Sequence, residues 1–175
     1  MIICLLGLFP LILQTKSIGE SRKSLRVGTI LNFNIMAVKV YKGNSSCSCD
    51  LICNVSDNKV YKRYSSSSCD VICNVSNNKV YKGYSSSSCD VICNVSNNKV
   101  YKGNSSCSCD ILLNISSGKI YKGNSQCSSD IVANIDGGKV RSGNSYCNSD
   151  TMFNLDGPIT IEEFVAVWFA VNYIF

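Results

Sequence analysis

The stretch that decides the fold is residues 39–58, KVYKGNSSCSCDLICNVSDN, because five further copies follow it with no insertion or deletion. The six units begin at Lys39, Lys59, Lys79, Lys99, Lys119 and Lys139. The second and third units are nearly identical, and the last three drift progressively from the first. A strict period of this length indicates a repeat architecture in which each unit is one supersecondary element.

Each unit is predicted to form one β-hairpin. Its two apolar pieces, KVYK and the DVICNV of residues 70–75, are rich in the β-branched and aromatic residues that favour strands. Between one unit's second piece and the next unit's first piece lies a pair such as Asn77-Asn78. Such pairs tolerate positive φ and suit a two-residue hairpin loop. The serine-rich connection within each unit is expected to form a longer loop.

The two-residue turn also fixes a register. Pairing outward from it places Val75 opposite Val80 and Asn74 opposite Tyr81. Side chains alternate between the two faces of a strand, so the core face can be predicted. That face is expected to carry Val71, Cys73, Val75 and Val80.

Two arrangements of the hairpins fit the repeat. A β-solenoid would stack the six lysines in one column about 4.8 Å apart, and like charges directly opposite one another are destabilising. A closed ring separates them. The predicted fold is therefore mainly β, with six tandem hairpins (39–158) in a closed, radial, barrel-like arrangement, and the solenoid is the alternative.

A short apolar helix is predicted to close the chain over 159–175. Thr160 and Glu163 form a capping box, which marks a helix start. The apolar residues that follow occupy all sides, which is typical of a buried helix, and they are too few to span a bilayer. A strand is the alternative. The residues expected to supply core from this helix are Phe164, Val167, Trp168 and Val171.

The N-terminal region does not follow the repeat. Residues 1–19 contain an apolar run from Ile2 to Leu13 and then small residues, which resembles a signal peptide without the usual basic start. Residues 20–38 are interpreted as a linker whose segment 29–34 resembles 151–156 and could be a decayed strand. This reading predicts a secreted or cell-surface protein. The alternatives are an uncleaved apolar segment, or a translation start at Met36 and a cytoplasmic protein.

Units such as KIYKGNSQCSSDIVANIDGG (119–138), with the tail ITIEEFVAVW (159–168), resemble the short-repeat proteins called bacterial β-flower proteins. The resemblance runs from Lys39 to the C-terminus. It implies a radial β-hairpin fold with a C-terminal apolar helix, and it carries no functional residue. A helix within a barrel is also similar in layout to the tubby-type fold.

Twelve cysteines, eleven of them in the repeat, suggest thiolate chemistry. The equivalent positions of the six units, which form columns when the units are aligned, argue instead that the cysteines are structural filler. The column of Cys53, Cys73 and Cys93 continues as Leu113, Ala133 and Phe153 in the last three units. In the other two cysteine columns, some units carry serine. No metal or cofactor is therefore predicted, and disulfides stay open. If thiolates did bind zinc or copper(I), the candidates would be Cys49, Cys53, Cys69, Cys73, Cys89 and Cys93.

Four positions are identical in all six units, and they are expected to shape the fold. In the second unit they are Lys59, Ser65, Asp70 and Asn74. The alternative is a ring of Lys and Asp that binds an anion or a sugar. Alternating lysine and tyrosine could also stack on sugars or bases. Arg63, Tyr64 and Tyr84 depart from the usual Gly-Asn of the loops.

Composition limits the functional classes. The chain has no histidine, the residue most used for acid–base work near neutral pH, and its formal charge of +5 is too mild to predict nucleic-acid binding. The prediction is a non-catalytic structural or binding module, with a carbohydrate or an anion as the partner. The alternatives are thiolate metal storage or sensing, and a tubby-like binder of lipid surfaces.

Overall fold

The computed structural model describes residues 37–173, and within them the sheet is a closed barrel of antiparallel strands. The strands are β1 Val38–Lys42, β2 Leu51–Ser56, β3 Lys59–Lys62, β4 Val71–Ser76, β5 Lys79–Lys82, β6 Val91–Ser96, β7 Lys99–Lys102, β8 Ile111–Ser116, β9 Lys119–Lys122, β10 Ile131–Asp136, β11 Lys139–Ser142 and β12 Thr151–Leu155. Sequence neighbours pair throughout, and β1 pairs with β12. The closed radial arrangement of hairpins is thus confirmed. The predicted signal peptide and most of the predicted linker, with its decayed strand, lie outside the described residues.

The predicted two-residue turns are confirmed in position and conformation. Asn77 and Asn78 have φ of 50° and 61°, and the equivalent pairs of the neighbouring units are similar. Asparagine occupies this left-handed region more readily than most residues. The register follows as predicted, with Val75 opposite Val80 and Asn74 opposite Tyr81. Short 3-10 turns, which the sequence did not predict, precede the longer strands at Ser48–Asp50, Ser68–Asp70, Ser88–Asp90, Ser108–Asp110, Ser128–Asp130 and Asn148–Asp150.

One part of the predicted core face is wrong, because each hairpin contains an irregularity at the start of its long strand. Val60 pairs with Cys73, but the next pair is Tyr61 with Val71, so Ile72 is skipped. Such a bulge changes which residues face inward. Ile72 belongs to the central core. Val71 is also buried, but it lies outside that core and pairs with Tyr61. Cys73, Val75 and Val80 pack in or against the core as predicted.

The ring is closed by side chains as well as by strands. Asp156 accepts a hydrogen bond from the Lys39 backbone at 2.6 Å, and its own N–H donates to the Lys39 carbonyl at 3.1 Å. The Asn154 amide donates to the carbonyls of Gly43 and Ser45 at 2.8 and 2.7 Å. A closed barrel has no free edge at which another strand could pair.

Among residues 37–173 there is one α-helix, α1 (Ile161–Tyr173), and it packs in the core of the barrel. Its predicted capping box is present: the Glu163 N–H donates to the Thr160 hydroxyl at 3.2 Å, and the Thr160 N–H donates to the Glu163 carboxylate at 2.9 Å. Residues 164–170 are all buried, and Val171 packs against the same core as the inward valines of five units and Ile120 of the fifth. An apolar helix buried on every side must lie within the ring. In the described part of the chain, no helix combines the length and apolar character that crossing a membrane requires.

The helix α1 runs closest to β2, β3, β4 and β5. Cys53 and Cys73, small and fully buried, point inward from β2 and β4. In the same column of the last unit stands Phe153, whose ring lies 6.4 Å from those of Phe164 and Trp168.

Candidate functional site

The outer surface of the barrel carries six copies of one rigid loop, built by three of the four identical positions. In the first unit the Ser45 hydroxyl donates to the Asp50 carboxylate at 2.6 Å and accepts from the Cys47 N–H at 3.0 Å. The Asp50 N–H donates to the Cys47 carbonyl at 3.0 Å. Buried asparagines add a bond between units: the Asn54 amide donates to the Ser65 carbonyl at 2.9 Å.

The same network recurs around the ring. The serine-to-aspartate bond is 2.6–2.7 Å long in the first five units and also forms between Ser145 and Asp150 in the sixth. Each asparagine reaches the loop of the following unit, and Asn154 returns to the first. These hydrogen bonds hold the loops in place, and Ser65, Asp70 and Asn74 make them in the second unit.

The lysine column meets the loop of the following unit on this surface. Lys39 lies 6.0 Å from the centre of the Tyr64 ring, and Lys59 lies 5.5 Å from the centre of the Tyr84 ring. Cation–π contacts reach about this distance. The tyrosines are 55% and 63% exposed, so most of each ring is open to solvent. We call Lys39, Lys59, Tyr64 and Tyr84 the Lys–Tyr surface.

In the next pair of units, the third and the fourth, an asparagine takes the place of the exposed tyrosine. Lys79 donates to the Asn104 side chain at 2.8 Å, and the Asn104 amide donates in turn to the Ser88 carbonyl at 2.8 Å. The asparagine therefore connects its lysine to the loop by hydrogen bonds, whereas each tyrosine exposes an aromatic ring to solvent beside its lysine. Tyr64 and Tyr84 are the departures from the Gly-Asn pattern, and the sequence signal that could have identified them is the break in the repeat.

A groove of about 270 Å³ opens at the Lys–Tyr surface. It is lined by Ala37, Lys39, Asn54, Ser56, Asp57, Tyr61, Tyr64, Ser65 and Ser66. It therefore combines aromatic faces, an ammonium group, a carboxylate and several hydroxyls. This composition suits a polar ligand with a face that can stack on a ring.

The cysteines divide between the core and the exposed loops. Cys53, Cys73 and Cys93 are fully buried in the core. The remaining described cysteines are exposed on the loops: Cys47, Cys49, Cys69, Cys89, Cys107, Cys109, Cys127 and Cys147. The metal-ligand candidates considered from sequence are thus split, with Cys49, Cys69 and Cys89 outside and their partners four residues later inside.

Two loops bring thiols together. The sulfur atoms of Cys47 and Cys49 lie 2.7 Å apart, and those of Cys107 and Cys109 lie 2.6 Å apart. In each pair the hydrogen bond between the thiols lowers the pKa of the first cysteine and raises that of the second. The neighbouring carboxylates Asp50 and Asp110 complete groups of three ligand atoms within 4.8 Å of one another.

Burial raises the pKa of Cys53, Cys73 and Cys93 from 9.0 to about 12. The unfolded chain then loses these protons near pH 9, whereas the folded chain keeps them, so the stabilisation is complete below pH 9 and is lost as the pH rises towards 12. We expect the free energy of unfolding to fall over this window by up to about 1.4 kcal/mol per pH unit for each thiol. Urea unfolding at pH 8 and pH 10 measures it. The triple variant Cys53→Ala, Cys73→Ala, Cys93→Ala should lose this part of the pH dependence, and an unchanged slope would contradict it.

The last units carry polar groups that the sequence analysis did not single out. Arg141 takes the place of the column's tyrosine and is buried, and its guanidinium lies 3.3 Å from Asp136. Its Nε, the Asn134 Oδ1 and the Thr151 hydroxyl are buried without a protein partner. These three residues are cross-strand neighbours. The sequence feature that could have identified this group is the replacement by Arg141 of the tyrosine that the other five units carry.

Six hairpins that close into one ring around a C-terminal helix define a closed β-repeat barrel, a class set by its repeat and not by a catalytic motif. Residues 40–168 match the family model described as "6-fold beta flower protein", so the chain belongs to this family. The family resemblance drawn from the repeat and the tail is thereby confirmed. No curated protein and no solved structure matches the chain.

Proposed function

We propose that this barrel is a non-catalytic binding module whose Lys–Tyr surface holds an acidic oligosaccharide. The observation that carries the proposal is the pairing of an exposed tyrosine with a lysine on two adjacent units, where the next unit has asparagine. Two equivalent sites one unit apart suit a ligand that is itself a chain of similar residues.

The chemistry of the groove favours this ligand class. The exposed rings of Tyr64 and Tyr84 can stack on sugar faces, and each ammonium group can pair with a carboxylate or sulfate of the ligand. Asp57 and Ser66, which are exposed in the lining of the groove, add groups that can bond to sugar hydroxyls. The loops are held by hydrogen bonds before any ligand arrives, which reduces the entropy lost on binding.

The absence of catalysis and an extracellular location are parts of the same proposal. The absence of histidine supports the first, and the apolar run near the N-terminus supports the second. The intact mass of the protein isolated from its own cells tests the location. We expect a chain processed near Gly19, and an unprocessed chain recovered from the cytoplasm would contradict that expectation.

The binding proposal is tested by replacing the two tyrosines with the residue that four of the six units carry at this position. We expect Tyr64→Asn with Tyr84→Asn to weaken the binding of an oligomer of uronic acids at least about tenfold, which corresponds to about 1.4 kcal/mol. Calorimetric titration measures the affinity. The Asn variants restore the pattern of the other units, so the fold should be unaffected.

Tyr146→Ser provides the matched control, because it removes an equally exposed tyrosine from another loop position and restores the serine of the first four units. Its affinity should equal that of the wild type. Equal binding by the double tyrosine variant would remove the proposal. Binding to anionic vesicles but not to the oligosaccharide would favour a lipid surface instead, and retention of a neutral oligosaccharide with equal affinity would show that the lysines play no part.

A further inference from the structure

The first and fourth units differ from the others in carrying two cysteines on one loop, at positions 47 and 49 and at positions 107 and 109. All four thiols are exposed, so they are open to small reagents in solution. The sulfur–sulfur separations of 2.7 and 2.6 Å are close to the length of about 2.05 Å in a disulfide bond.

The loop itself sets this approach. In the second and third units, serine replaces the first cysteine, and the Ser67 hydroxyl lies 2.9 Å from the Cys69 sulfur, as does the Ser87 hydroxyl from that of Cys89. The backbone is fixed by the Ser–Asp bond and by the turn that follows it, in cysteine and serine units alike. The two side chains are therefore held together before any reaction, which favours an intramolecular step strongly over a bimolecular one.

The distances also separate two chemistries that a thiol pair can perform. Two thiolates on a tetrahedral zinc, with bonds of about 2.3 Å, stand about 3.8 Å apart. The pairs in the first and fourth units are more than 1 Å closer than that. Bond formation between the sulfurs needs less movement of the side chains than opening the pair around a metal ion.

We infer that Cys47–Cys49 and Cys107–Cys109 are two dithiol–disulfide sites that exchange with low-molecular-weight disulfides. In each, one thiolate attacks a sulfur of the small disulfide, the S–S bond breaks, and one small thiol leaves with a proton. The second cysteine then attacks the mixed disulfide and expels the other small thiol with its proton. One protein disulfide and two small thiols result; the dithiol loses two electrons and the small disulfide gains them.

Tryptic mapping after incubation of the full chain with oxidised glutathione tests the inference, with the remaining thiols then blocked by an alkylating reagent. Peptide 103–119 contains Cys107 and Cys109 as its only cysteines, and peptide 123–139 contains only Cys127. We expect 103–119 to lose the mass of two hydrogen atoms and to carry no glutathione. Peptide 123–139 should carry one glutathione, because its loop offers no second thiol.

The variant Cys109→Ser gives the fourth unit the cysteine and serine that the fifth carries naturally at Cys127 and Ser129. Peptide 103–119 should then carry one glutathione, like 123–139. Stable glutathione adducts on wild-type 103–119, or a fully reduced 103–119 when 123–139 is modified, would overturn the inference. So would disulfides that link Cys107 or Cys109 to other loops or to other chains.

Discussion

Replacing Trp168 by alanine is expected to lower the free energy of unfolding by about 3–5 kcal/mol, the range for large aromatic truncations in a core. Trp168 is 6% exposed and lies 6.4 Å from Phe153 and 6.5 Å from Phe164, ring centre to ring centre. The truncation removes one of the three mutually packed rings of this cluster and leaves a cavity between α1 and β12. Urea unfolding followed by far-UV circular dichroism measures the loss.

The surface tyrosine variant Tyr146→Ser controls for the removal of a large aromatic ring as such. It should change the free energy of unfolding by no more than about 0.5 kcal/mol, as most surface substitutions do. If Trp168→Ala unfolded at the urea concentration of the wild type, the helix would not be part of the core. A loss as large in Tyr146→Ser would show that the assay does not distinguish core from surface.

Most of the fold could be predicted because the same hairpin sequence recurs six times along the chain. The period, the asparagine pairs and the capping box each depend on local chemistry that a sequence displays directly. The bulge could not be predicted, since Val71, Ile72 and Cys73 are all apolar and alternation alone assigns Val71 to the core. Only the pairing of Tyr61 with Val71 shows that Ile72 takes the inward place.

The candidate sites were harder to predict because they lie where the repeat is broken. Tyr64 and Tyr84 were visible as departures, but their role depends on the lysine of the preceding unit, 25 residues earlier, which the pairing of neighbouring strands brings near. Interchange of cysteine with serine predicted that these positions are structural, and this stays a prediction. The same comparison gave no sign that Cys47 and Cys49 lie close together, because it considers each position of the repeat separately and not two positions of one loop.

Deleting one whole unit, residues 79–98, is expected to abolish cooperative unfolding. The deletion joins Asn78 to Lys99, and the turn and strand sequences at the junction stay the same, because Asn98 precedes Lys99 in the intact chain. The diameter of a barrel grows roughly in proportion to its strand number, so ten strands enclose a lumen narrower by about a sixth. Residues 164–170 of α1 are all buried in the core that the barrel encloses, and close-packed interiors tolerate overpacking poorly.

Gly83→Arg is the matched control, because it makes the third unit identical to the second while keeping six units. Arg63 already occupies this position with a φ of 47°, and a Cβ on Gly83 would stand 3.8 Å from the nearest atom, so the cost should be limited to the left-handed backbone of Gly83, about 1–2 kcal/mol. Thermal melts of both variants, followed through near-UV circular dichroism, decide the question. A deletion variant that melts cooperatively within a few degrees of the wild type would mean that stability adds unit by unit, as in an open solenoid. In a closed ring, stability cannot add unit by unit in this way, because the loss of a unit narrows the lumen in which the helix packs.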